Sequence, residues 1–132
     1  MDVGLAVGRI LLVAIFIFSG AVKFIDVSGT AAHIADKGLS MPTVLAVAAG
    51  AVEVVCGLMV AVGWCTRLAA LVLLVFTGAA AFLFHDFWNL PSGREQIGQM
   101  LHAWKNLSIM GGLLFVAAAG PGRFSIDARV RA

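Results

Sequence analysis

Charged side chains are scarce in this sequence. Asp, Glu, Lys and Arg make up 12% of the 132 residues and hydrophobic residues 61%, whereas a soluble domain carries about 25% charged and about 45–50% apolar residues. The charges fall mostly between long apolar runs. That excludes an ordinary soluble domain and leaves a single integral membrane domain with no soluble domain beside it. Cysteine is almost as rare. Cys56 and Cys65 stand about 13 Å apart along a helix, beyond disulfide reach, and no C-x-x-C occurs. Dithiol chemistry is therefore excluded, and both read as small apolar residues, with Cys56 as a single reactive thiol the lesser reading. There is no phosphate loop and no basic patch interleaved with aromatics, so nucleic acid is not an expected partner. Internal repeats, low-complexity segments and linkers are also missing.

What the chain has in quantity is apolar run. Four segments approach or exceed the roughly 20 residues needed to cross a bilayer's hydrocarbon core. They are 3–24, 43–62, 67–85 and 100–120, the last reached by letting Lys105 snorkel outward. Backbone groups in lipid must be bonded internally, so these runs are helices unless they close a barrel, and the short alternating segments of a barrel are absent. The expected fold is all-α, a four-helix transmembrane bundle. Its first outer connection, "IDVSGTAAHIADKGLSMP", holds a short amphipathic helix at 29–37, with Ser28 as its cap and Gly38 past its end. The first span is expected to be retained rather than cleaved, because no basic start precedes Arg9 and the apolar stretch is long.

Orientation follows from Lys and Arg. With both termini in the cytoplasm, the inner side holds Arg9, Arg67, Arg123, Arg129 and Arg131, against Lys23, Lys37, Arg94 and Lys105 outside. The expected address is a bacterial inner membrane, multi-pass, with both termini cytoplasmic.

Polar residues inside the spans carry the functional reading. In "AGAVEVVCGLM" Glu53 is the one ionisable residue, near mid-membrane. On the first helix Arg9, Phe16, Gly20 and Lys23 recur at steps that keep them within about 60° of one stripe. Gly50, Glu53, Cys56, Gly57 and Val60 line up on the second, Gly78 and His85 on the third, and His102, Lys105 and Asn106 on the fourth. Small and polar stripes face protein rather than lipid. The expectation is a polar pocket opening outward with Glu53 at its floor. Glu53 is read as a proton-handling group, set against a packing device paired with Arg9 or Lys23. Arg9, Lys23, His85, Trp88, His102, Lys105 and Asn106 are the candidate ligand-binding residues. Haem ligation by His85 and His102 is disfavoured, because interfacial histidines are common and no Glu-x-x-His pair accompanies them. No metal site is expected.

"GRILLVAIFIFSGAVKF", "EVVCGLMVAVGWCTRLAALVLL", "FHDFWN" and "KNLSIMGGLL" together resemble the DoxX family in order and spacing over nearly the whole chain. The resemblance implies a small four-helix inner-membrane protein linked to membrane redox and sulfur metabolism. It matches the family's recurrent polar positions to Arg9, Lys23, Glu53, Arg67, His85, Trp88, Lys105 and Asn106. The reading is a quinone- or sulfur-linked redox subunit, with quinone as the candidate ligand and electrons supplied by a redox partner subunit or a bound cofactor. The alternatives are a non-catalytic scaffold, with the Gly4–Gly8 and Gly111–Gly112 faces suited to a homo-oligomer, and a small-molecule or lipid carrier.

Overall fold

The computed structural model describes residues 2–130; Arg131, counted above among the inner cations, lies outside them. The described chain is helical throughout: α1 Asp2–Ile25, α2 Val27–Asp36, α3 Pro42–Val62, α4 Thr66–Phe84, a 3-10 turn at Phe87–Asn89, α5 Arg94–Ala119 and α6 Ile126–Val130. Helices α1, α3, α4 and α5 run up and down. One end of the bundle therefore carries both chain ends and the α3–α4 turn, and the other carries α2 and the α4–α5 connection.

Among the described residues, three stretches are long and apolar enough to cross a membrane: Asp2–Ile25, Pro42–Val62 and Thr66–Asn89. The expected fourth span, 100–120, corresponds to α5 from its seventh residue through its C-cap, Gly120. That helix has the length, at 26 residues, but Arg94, Glu95, His102 and Lys105 and a set of amides occupy its first half. The outer surface fits a lipid solvent. Val75 is 69% exposed and Phe115 63%, while Arg9 and Glu53 are buried; a soluble fold would reverse this arrangement.

Local chemistry accounts for the helix ends. Pro42 opens α3, where a missing N–H costs nothing. Gly63, at φ 77°, closes α3 in the left-handed region that glycine adopts freely. The amphipathic helix starts two residues before its expected position. Asp26, rather than Ser28, caps it, because the Asp26 carboxylate accepts from the Gly29 amide at 2.9 Å and from the Ser28 hydroxyl at 3.2 Å. A carboxylate acceptor outcompetes a hydroxyl at a helix N-terminus, where the dipole favours negative charge.

Packing is uneven along the bundle. The main core, including Val13, Val60, Leu73 and Leu113, lies toward the end that carries the termini. At the other end a small cluster of Ala31, Ile34 and Ala46 seats α2 on α3. Helices α1 and α3 meet closely at glycines: a methyl group on Gly20 would stand 2.8 Å from the Gly50 carbonyl oxygen. In lipid such close approach, rather than water exclusion, drives helix association.

Candidate functional site: a groove ending at Glu53

Between α1 and α4, toward the α2 end, lies a groove of about 870 Å³, within the range of about 300–1,000 Å³ that small-molecule sites occupy. Helix α3 forms its back and α2 lies across its end. Its walls are mostly apolar, and the alanines Ala48, Ala49, Ala79 and Ala80 leave the space that larger side chains would fill.

Glu53 stands in the back wall, 5% exposed. It is eleven residues into α3, roughly 16 Å from that helix's start at 1.5 Å per residue. Lys23 is near the end of α1, but helical side chains lean toward the N-terminus, so its ammonium reaches back into the groove instead of out to the interface. There it donates to the Ser19 hydroxyl at 2.8 Å and lies 2.8 Å from Glu53 Oε2. Oε2 is itself buried, and the ammonium gives it close charge compensation.

The other candidate residues lie elsewhere. Arg9 is 3% exposed at the far end of α1. Its two terminal nitrogens donate to the carbonyls of Pro121 and Phe124 at 2.6 and 2.7 Å, tying α1 to the segment after α5. Asp127 completes that junction, accepting from the amides of Cys65 and Thr66 and from the Thr66 hydroxyl at 2.8–2.9 Å. Cys65 has φ 45°, a left-handed conformation that costs about 1–2 kcal/mol for a non-glycine residue. The charge-assisted bonds from Asp127 offset it.

His85 and His102 form a third cluster, where α4 meets α5. Their rings stack at 5.2 Å. His85 donates from Nδ1 to Gln99 Oε1 at 2.8 Å, and Lys105 donates to His102 Nδ1 at 3.3 Å. These bonds leave each imidazole with one engaged nitrogen, and no group of three or more metal-ligating side chains occurs among the described residues. Trp88 packs against Phe82 and Phe87 on the exposed surface, and Asn106 is half-buried on α5. None of these five residues lines the groove, because α5 packs on α4 and leaves the groove to α1, α2, α3 and α4.

The structure also adds residues that the helix-stripe argument did not reach. Ser19, Thr30 and His33 line the groove. Ser19 sits one turn before Lys23 on the same helix, a spacing that makes the contact readable. Thr30 and His33 share a face of α2 at i, i+3, but their orientation depends on how α2 docks.

Comparison with known proteins agrees with this architecture. A family model described as DoxX matches residues 4–86, well over half of the chain. The inner membrane protein YphA of Escherichia coli is 34% identical over 126 residues, covering 95% of this chain and 89% of that protein. The inner membrane protein YqjF of the same organism is 37% identical over 129 residues, covering 96% and 91%. An uncharacterized membrane protein of Mycobacterium tuberculosis is 35% identical over 128 residues, covering 92% and 78%. No solved structure matches. With membrane-length helices, a polar stripe on α1 and α3 and similarity along almost its full length to inner membrane proteins, the chain belongs to the DoxX family.

Proposed function

We propose that this chain is the quinone-binding, proton-handling membrane subunit of a redox system. In this reading it crosses a bacterial inner membrane four times, α5 included, with both termini in the cytoplasm. One observation carries the proposal: a carboxylate 5% exposed, at the back of an apolar groove, with an ammonium 2.8 Å away. Ionisable groups at such depth are costly and mark ligand or proton sites.

Reduction of a quinone to a quinol consumes two electrons and two protons. Lys23 is suited to donate a hydrogen bond to a quinone carbonyl, and Glu53 to exchange a proton with the hydroxyl that replaces it. Electrons come from a partner subunit or a bound cofactor, since nothing in the sequence marks an electron carrier. The His85–His102–Lys105 cluster, on the other flank of α4, takes no part in this scheme.

A second reading has its own support. The two terminal nitrogens of Arg9 serve backbone carbonyls, and the same logic applied to Glu53 makes a scaffold whose polar groups only hold helices in register. Gently solubilised wild type and Glu53→Gln separate the two. The redox reading expects quinone to co-purify with wild type and to be lost from the variant at an unchanged melting temperature. The scaffold expects neither protein to carry ligand and the variant to melt lower.

A further inference from the structure

We infer that the ligand of the groove is a membrane-dissolved amphiphile with a neutral polar head and a long apolar tail, and that it enters sideways from the lipid between α1 and α4. This rests on the ligand-binding reading above and specifies its substrate class and route.

The route follows from which sides are covered. Helices α1 and α4 each pack on α3 and are held apart from one another along the groove. The groove's rim residues are also part of the molecule's exterior: Phe18 is 69% exposed, Val22 44% and Leu83 37%. A side chain that is both groove wall and lipid-facing surface marks a mouth. The end toward water is closed by α2, which is held in three ways. Ala31 and Ile34 bury against Ala46, the His33 ring stacks on Phe84 at 5.5 Å, and Lys37 bridges to Asp86 at 2.7 Å. The last two contacts tie α2 to α4 and its following turn, across the groove from α1.

The head group follows from charge. Of the charged groups at the groove, Lys23 and Glu53 compensate one another, while Asp26, exposed at the α2 end, is engaged in capping α2. A ligand carrying a full charge would leave one charge unpaired in an apolar surrounding, which is strongly unfavourable. A neutral head with one acceptor and one donor suits the Lys23 ammonium and the Glu53 carboxylate, which both line the groove, without disturbing their balance. The tail follows from the walls, where alanines and large apolar side chains offer nothing to a polar chain and lead directly to the bilayer.

Site-directed spin labelling in proteoliposomes tests this. In a Cys56→Ala, Cys65→Ala background, a nitroxide is attached at Ala49→Cys in the back of the groove. A parallel label at Val52→Cys serves if the first variant does not fold. Oxygen, which concentrates in hydrocarbon, is expected to relax the label several-fold more strongly than a water-confined nickel chelate. A methylated benzoquinone with a decyl tail is expected to roughly halve the oxygen effect as the groove fills, and the same head without a tail to leave it unchanged. Stronger relaxation by the nickel chelate would mean a water-filled vestibule and overturn the lateral route. Equal protection by tailed and tail-less heads would overturn the tail. Oxygen preference without protection by either head would sink the quinone reading of the preceding section while leaving the lipid-side opening supported.

Discussion

Helix α1 carries two cations on one stripe, and they have opposite fates. Arg9 sits where the bundle is tightest, and its planar guanidinium spreads over two carbonyls more than a hundred residues away in sequence. Lys23 sits where the bundle opens, and its single ammonium serves a hydroxyl on its own helix and a carboxylate on the next. The difference is one of chemistry as well as place. A guanidinium is always charged and offers a fork of donors suited to fixed backbone acceptors, whereas an ammonium is a compact point charge on a flexible stem. One end of α1 is built to stay shut, and the other keeps a charge pair beside open space.

The largest effect expected from breaking this contrast is at Arg9. Arg9→Ala strands two carbonyls and should cost about 3 kcal/mol, read as a lower melting temperature in detergent, while the fraction that stays folded retains groove ligand. The Lys23–Glu53 pair should behave differently. Lys23→Met alone leaves a buried carboxylate without its counter-charge and should cost about 2 kcal/mol, but Lys23→Met with Glu53→Met should return stability to the wild-type level or above it. A double-mutant cycle on melting temperature, completed by Glu53→Met alone, measures this, and ligand retention should be lost in all three variants. Next comes Asp127→Ala, which removes the cap of α4 and should cost about 1–2 kcal/mol without changing the groove. The smallest effect is expected from Lys37→Gln. Its bridge to Asp86 is partly exposed, and exposed pairs contribute little, so the melting temperature should barely move.

Much of this arrangement was legible in the sequence because helical periodicity is local. The stripe Arg9, Phe16, Gly20 and Lys23 follows from spacing alone, and of these the structure buries Arg9, Phe16 and Gly20. The stripe on α3 is likewise buried at Gly50, Glu53, Gly57 and Val60, with Cys56 at its margin. Periodicity does not say which stripe faces which. His85 and His102 come together, as residues near facing helix ends, yet on the flank of α4 that turns away from Glu53. The partners of Arg9 were beyond reach for a related reason. They are backbone carbonyls, which leave no signature in side-chain identity, on a segment placed only by the whole fold. The shift of the α2 cap from Ser28 to Asp26 is a smaller case, in which two adjacent candidates differed only in acceptor strength.

The glycine seam between α1 and α3 has a mechanical consequence. With Gly20 set against the Gly50 carbonyl, and Gly57 admitting Ile17 about two turns further along α3, these two helices have little slack to slide or separate. They form a fixed jaw that carries Lys23 and Glu53 together. Any change in the width of the groove must then come from the opposite jaw, α4 with α5 behind it, and the charge pair rides unmoved while the mouth opens beside it.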